Sequence, residues 1–190
     1  MTRPAKIEDA KEIINLQQAL ILDVHALSHH SYRVQIQQEG FLIKNHLLTE
    51  TIDQALIQRY FVHEQDGHIV GYIRIDETAE MTDDSDAYWL EPSIKKQYYV
   101  LPHANISRLA VRPDVRKHGI AKAMLELAEK QAKKRGVKYL FSFVVLSPVT
   151  NTVSLLFHER SGFERAAITF PRPLFGMQGY QSILYYKELK

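Results

Sequence analysis

The chain has no cysteine among its 190 residues. That excludes a disulfide scaffold, a thiolate zinc site, an iron–sulfur cluster and covalent catalysis by a thiol. It has no apolar run of the roughly 18 residues a membrane-crossing helix needs, so no segment reads as one. Glycine (8) and proline (7) are sparse and scattered, which leaves no linker, low-complexity tract or internal repeat. Excess charge of one sign is missing too. Against 22 acidic side chains stand 24 basic ones, a net charge of +2 with His neutral, and a polyelectrolyte that coats nucleic acid is excluded. The first residues, with Arg3, Lys6, Glu8 and Asp9, lack the apolar core of a secretory signal, and the expectation is a cytoplasmic protein. No histidine group has tight metal-ligand spacing; His25, His29 and His30 come nearest, and no metal is expected.

What is present is a 45% apolar composition over a length that suits one domain, taken as residues 1–190. After a short strand near Thr2–Pro4, Ile13, Ile14, Leu20, Ile21 and Val24 recur at helical spacing behind Glu8 and Asp9. This predicts an amphipathic helix from Ala10 to Val24. Residues 28–57 read as helix, loop, helix, the second capped by Thr49 or Glu50. Residues 59–64 and 68–76 flank an Asp66-Gly67 pair and predict an antiparallel hairpin. The stretch 77–104 is long for a loop, and its aromatics argue for order. A strand over 105–111 precedes a helix from Gly119 to Arg135, with Ile120, Ala121, Met124, Leu125, Ala128 and Ala132 on one stripe. The near-continuous apolar run 138–146 predicts a strand covered on both faces, central and parallel to its predecessor. A short helix over 151–161, then strands at 166–170 and 181–188 joined by a loop, complete a mixed α/β order around one sheet.

One segment points to chemistry. Between the strand ending at Val111 and the helix starting near Gly119, a helix entrance presents unpaired N–H groups and a positive dipole end. Gly119 admits a ligand, Ala121 keeps the approach close, and Arg116, Lys117 and Lys122 add cations, a combination suited to pyrophosphate. There is no Gly-Lys-Ser/Thr of a P-loop, and one glycine stands where a dinucleotide fingerprint needs three, so ATP and NAD are disfavoured. An ordinary helix N-terminus with surface cations is the alternative reading.

These residues, Arg116-Lys117-His118-Gly119-Ile120-Ala121 after Leu109-Ala110-Val111, resemble the Gln/Arg-x-x-Gly-x-Gly/Ala signature of the GNAT acyltransferase superfamily. A second block, from Asn151 and Ser154 to Phe157-His158-Glu159 and Gly162-Phe163, is similar to the family's Asn-x-x-Ala-x-x-Leu-Tyr-Glu-Lys-x-Gly-Phe helix. Arg3-Pro4-Ala5, Glu8-Asp9 and the hairpin with Val70-Gly71-Tyr72 extend the likeness to most of the chain outside 77–104. The resemblance implies a GNAT-like fold, a central mixed sheet with splayed parallel strands flanked by helices, and acetyl-coenzyme A (acetyl-CoA) in the gap. The strand backbone at Leu109, Ala110 and Val111 is implied to pair with the pantetheine arm. The run Arg116, Lys117, His118, Gly119, Ile120, Ala121 and Lys122 is implied to hold the pyrophosphate, and Asn151, with Ser154 and Phe157 on its helix, to reach the pantetheine or thioester.

His158 stands where most members place a tyrosine general acid, although branches resembling phosphinothricin acetyltransferases carry Leu-His-Glu there. A neutral histidine donates a hydrogen bond as tyrosine does, so His158 is the candidate catalytic acid; filling the helix face or positioning the cofactor is the other reading. The family's frequent strand glutamate is absent. Asn105, Ser107 and Arg108 stand in that strand, and the base candidates are Asp76, Glu77, His103 or a water relayed through Ser107.

The expected activity is direct transfer of an acetyl group from acetyl-CoA to an amine of a small molecule or peptide in a ternary complex. A non-catalytic acyl-CoA sensor is the alternative, and a nucleic-acid module on the basic face from Lys122 to Lys138 a third reading that near-neutral charge disfavours. Residues 76–91 hold seven carboxylates and no Lys or Arg, which suits a cationic acceptor or merely a solvated loop. Tyr32, Phe41, Glu77 and Trp89 are the candidate acceptor-binding residues, with 77–104 as a variable lid over them. A homodimer is compatible with the resemblance; no membrane or nucleic-acid partner is expected.

Overall fold

The structure is a computed structural model that describes residues 1–44, 51–77, 86–100 and 102–190. Its strands are β1 (Thr2–Pro4), β2 (Tyr60–Gln65), β3 (His68–Asp76), β4 (Ala87–Trp89), β5 (His103–Val111), β6 (Tyr139–Ser147), β7 (Glu164–Thr169), β8 (Arg172–Leu174) and β9 (Met177–Glu188). They form a nine-stranded sheet in the order β1-β2-β3-β5-β6-β9-β7-β4, with β8 paired to β9. The helices are α1 (Ala10–Ala19), α2 (His30–Glu39), α3 (Pro92–Tyr99), α4 (Ile120–Lys134) and α5 (Thr152–Arg160). Among the described residues, no helix is long and apolar enough to cross a membrane.

Each helix lies where its apolar stripe finds a sheet face. In α4 the residues Ile120, Met124, Leu125, Ala128 and Ala132 recur at helical spacing and are buried. They pack on Val70, Ile73, Ile75, Ile106 and Val111 in the largest core, which α5 joins through Leu155 and Phe157. The opposite face is covered by α1, whose Ile13 and Leu16 meet Tyr60, Val62 and Tyr72. It is covered further along by α3, whose Ile94 and Tyr98 meet Phe141, Ala167 and Leu184. The side chains of β9 alternate accordingly, Ile183 and Tyr185 toward one core and Leu184 toward the other. As the continuous apolar run predicts, β6 is covered on both faces and parallel to β5.

Several expectations change. The first helix ends at Ala19. The cap at Thr49 or Glu50 lies outside the described residues, and only a single turn over Ile57–Arg59 remains of the helix expected there. The described part of 77–104 holds β4 and α3, whose Tyr98 is fully buried, and Trp89 packs tilted against Tyr98 and Tyr99. The expected loop over 170–180 is a hairpin, with Arg172 opposite Tyr180 and Leu174 opposite Met177.

Close backbone approach sets α4 against the sheet. A Cβ at Gly71 would lie 3.0 Å from Met124 Cε and 3.1 Å from the Ala110 carbonyl oxygen. The methionine end can yield; the strand carbonyl cannot. Gly71→Ala is therefore expected to destabilise the fold by about 1–3 kcal/mol, read as a lower urea midpoint at an unchanged slope.

Candidate functional site

The two parallel strands at the sheet's centre separate after three residues. His103, Ala104 and Asn105 of β5 pair with Tyr139, Leu140 and Phe141 of β6, and nothing pairs beyond them although both strands continue. The cause lies in β5. Ile106 stands opposite Ile75 and Arg108 opposite Arg74, so Ser107 is an extra residue, a bulge that bends its strand.

Past the bulge, the gap-facing groups follow from the strand's period of two. Arg112 N–H donates to the Val70 carbonyl, and Val70 and Arg112 are thus a hydrogen-bonded pair, as on alternation are Tyr72 and Ala110. The backbone groups of Leu109 and Val111 point away from β3, toward the gap. On the other wall, Leu189 N–H donates to the Lys138 carbonyl, and the same alternation turns Phe143 and Val145 toward the gap. This arrangement accepts an extended chain as a strand accepts a strand, through Leu109 and Val111 but not through Ala110, whose backbone is engaged with β3.

At one mouth of the gap stands the start of α4. Lys117 (φ 68°) and Gly119 (φ 79°) both take left-handed backbone conformations that turn the chain into the helix. Ala123 N–H donates to the Gly119 carbonyl, so Ile120, Ala121 and Lys122 carry the amides without helix partners. No atom lies within 4 Å of a Cβ built at Gly119, and the helix entrance is open to a ligand. Arg116 serves differently from expectation. Its Nε donates to the Val111 carbonyl at 2.8 Å and its Nη1 donates to the Glu39 carbonyl, so the guanidinium braces the loop instead of facing the entrance. His118 Nδ1 lies 3.2 Å from the Val115 carbonyl.

Asn151, which follows β6 as the α4 loop follows the parallel β5, caps α5 at the same end of the strand pair. Its Oδ1 accepts from Ser154 N–H at 3.2 Å, its Nδ2 donates to the Phe41 carbonyl at 2.9 Å, and its own N–H donates to the Val145 carbonyl at 3.0 Å. The side chain assigned to the cofactor by resemblance is thus spent on holding α5 and the 39–41 segment. That segment links the starts of α4 and α5, since Glu39 meets Arg116 and Phe41 meets Asn151.

His158 is 2% exposed, stacked on Tyr185 with Phe157 and Phe163 edge-on. Its Nδ1 lies 2.7 Å from the Ser154 carbonyl, which can only accept, so the proton sits on Nδ1. Nε2 is then a lone pair, buried and without a hydrogen-bond partner among the described residues. Burial pushes the imidazole down to about 4, the Ser154 carbonyl opposing. This neutral tautomer has no proton left to donate into the gap, and the geometry supports the positioning reading of His158. Phe157 packs in the main core, and Ser154 contributes its backbone to the cap and to His158.

The base candidates are engaged as well. Burial alone would raise the Asp76 carboxyl, but the Ser107 hydroxyl and the Arg59 and Arg74 guanidiniums outweigh it and hold the group lowered. Arg59 Nη1 and Arg74 Nε each lie 2.8 Å from its oxygens. Glu77 pairs with Arg135 at 2.9 Å, beside the far end of α4 from Gly119, and so stands apart from the site. His103 is buried against Tyr98 and Phe141 and lowered by burial. Ser107 donates to Asp76, which leaves its oxygen lone pairs to accept from water or an ammonium.

Of the expected acceptor residues, the structure unites two. Tyr32 and Phe41 share a cluster with Val145 of β6 and with Met177 and Tyr180 of the β8–β9 hairpin. Beside it lies a cavity of about 260 Å³ lined by Val24, Leu27, Arg33, Pro148, Gly176, Met177 and Gln178. Trp89 lies on the outer strand, away from the gap. The cavity's walls come from a turn, a helix and a hairpin far apart in the chain, and Phe175-Gly176 turns the hairpin at φ 54° and 78°.

Comparison with known proteins follows this geometry. The profile of the acetyltransferase (GNAT) family matches residues 21–163. A search of curated proteins found no match. Among solved structures, an N-acetyltransferase from Staphylococcus aureus Mu50 is similar at 19% identity and a TM-score of 0.65, over 100% of this chain and 98% of that one. The ribosomal-protein-S18-alanine N-acetyltransferase from Escherichia coli is similar at 18% identity and 0.58, over 100% and 93%. N-acetylglutamate synthase from Neisseria gonorrhoeae, complexed with coenzyme A and N-acetyl-glutamate, is similar at 18% and 0.58, over 100% of this chain and 35% of that one.

The buried histidines make stability fall with acid. Above the ordinary imidazole value of 6.5, folded and unfolded chains both carry neutral His158. Below it the unfolded chain takes up a proton that the folded chain refuses until about pH 4, so stability is lost across that window. The loss at His158 is about 3 kcal/mol, with His103 adding in the same direction. Urea titrations from pH 7 to about pH 4 are expected to show this slope, and His158→Phe to flatten it in large part.

Proposed function

Because the chain belongs to the acetyltransferase (GNAT) family, we propose that it transfers an acetyl group from acetyl-CoA directly to an amine of a small molecule or peptide. The observation that carries this reading is the splay beyond Asn105 and Phe141, with the gap-facing backbone of Leu109 and Val111 beside the open amides of Ile120, Ala121 and Lys122. These residues fit the group: a strand edge for an amide-bearing arm, and a helix entrance for a pyrophosphate. Lys117 and Lys122 supply the cations, and the solved synthase from N. gonorrhoeae binds coenzyme A. Acetyl-CoA would supply an acyl group activated as a thioester.

The chain's own part is alignment and charge stabilisation. The N–H groups of Leu109 and Val111 are fixed by the β3–β5 ladder and face the place where negative charge develops on a carbonyl oxygen. Ser107 accepts the proton side of the amine or of a bridging water, with Asp76 holding its hydroxyl in one orientation. His158 holds the first turn of α5 through the Ser154 carbonyl and keeps that turn rigid. No covalent acyl-enzyme is involved, in keeping with the absence of cysteine.

A second reading, a non-catalytic acyl-CoA binder, draws on the engagement of Asp76 and Glu77 in ion pairs and on the Nδ1 tautomer of His158. Calorimetry and a thiol assay separate the two. The parent is expected to bind acetyl-CoA saturably, and Gly119→Glu, which puts bulk and negative charge at the entrance, to weaken binding by about tenfold or more. Release of free thiol that depends on an added amine supports the enzyme; binding without release under any amine supports the sensor. No binding to the parent overturns both.

A further inference from the structure

We infer that the cavity beside the end of β6 is the acceptor site, and that it selects an amine carrying an apolar group and a carboxylate. This rests on the acetyl-transfer reading above and goes beyond it in naming the acceptor's chemistry.

The place is set by topology. Pro148 lines the cavity directly after β6, and Val145, near the end of that strand, packs with Tyr32, Met177 and Tyr180 next to it. An amine seated there lies beside the end of β6, one wall of the splayed pair. The size restricts the occupant: about 260 Å³ lies below the roughly 300–1,000 Å³ of a site for a drug-sized ligand and suits something as small as an amino acid.

The lining gives the chemistry. Val24, Leu27, Pro148 and Met177 are apolar, and the polar side chains are Arg33 and Gln178. Arg33 lies in the first turn of α2 and pairs with no carboxylate among the described residues. The described acids nearby are turned elsewhere. Asp23 Oδ1 accepts from the N–H groups of His25 and Ala26, and the Glu39 oxygens accept from Gln35. A guanidinium and a primary amide present N–H donors of the geometry that a carboxylate's two oxygens accept. A polyamine would instead bring ammonium groups against the Arg33 guanidinium.

The acidic block that suggested a cationic acceptor is spent in the same way. Asp76 pairs with Arg59 and Arg74, Glu77 with Arg135, and Asp86 with Arg172, while Glu91 caps α3 through Ser93. Glu80, Asp83 and Asp84 lie outside the described residues.

The test uses the full chain with saturating acetyl-CoA and reads thiol release. L-Leucine and L-methionine are each compared with their amides, and spermidine serves as the cationic probe. The amino acids are expected to exceed their amides by about tenfold or more in kcat/KM. Arg33→Gln should bring the paired ratios close to one by raising KM for the acids, and Arg33→Lys should restore part of the preference. With coenzyme A present, N-acetyl-leucine should raise the Tm of the parent more than that of Arg33→Gln, a readout independent of turnover. Preference for an amide or for spermidine, or a preference for acids that survives Arg33→Gln, overturns the inference. Acetyl-CoA binding with no turnover of either amino acid also overturns it while the cofactor reading stands; absence of acetyl-CoA binding removes both.

Discussion

One extra residue in β5 governs the rest of this structure. Without Ser107 the two central parallel strands would pair along their length and close the sheet; with it, pairing stops at Asn105 and a slot opens in the middle of a nine-stranded sheet. A bulge costs ladder hydrogen bonds and must be held by something else. Here the Ser107 hydroxyl donates to Asp76, a buried carboxylate fixed by Arg59 and Arg74. The removal of one member would leave buried charge unpaired, the expensive failure of such networks. This carboxylate therefore helps to keep the strand bent, and its three partners favour its anionic form.

The starts of α4 and α5 beside the slot are joined by one segment. Glu39 accepts from Arg116 beside the α4 entrance, and Phe41 accepts from Asn151 at the start of α5. Gly40 lies between them at φ 71°, so close that a Cβ there would stand 3.3 Å from Asn151 Oδ1. The Arg116 and Asn151 side chains fasten the 39–41 segment to the starts of α4 and α5.

His158 illustrates how the same position changes role with its surroundings. Stacked on Tyr185 and bonded through Nδ1 to the turn beneath it, the ring is held neutral, and its position in the motif survives while its protonation state does not suit a proton donor. The expectation of an acid here came from the motif helix alone, and the motif does not carry the tautomer. Likewise, the seven carboxylates of 76–91 are legible as a charged block, but where a carboxylate's partner comes from another strand or helix, as Arg135 does for Glu77, one-dimensional spacing cannot show that the charge is neutralised.

The sequence by itself determined the elements and their stacking. The stripe from Ile120 to Ala132, the continuous apolar run of β6, the Asp66-Gly67 turn and the entrance at Gly119 are local patterns, fixed by helical and strand periodicity within a few residues. The tertiary structure alone decided which of these become a site. The register shift that makes Ser107 a bulge depends on what stands opposite it in β3, roughly 110 Å away along a fully extended chain. The cavity beside β6 depends on α2, the end of β6 and the β8–β9 hairpin meeting, and the charge of its rim on Arg33 finding no carboxylate there among the described residues. Pairing partners and unpaired charges are properties of contacts between distant segments, and a periodic pattern along one segment carries no information about them.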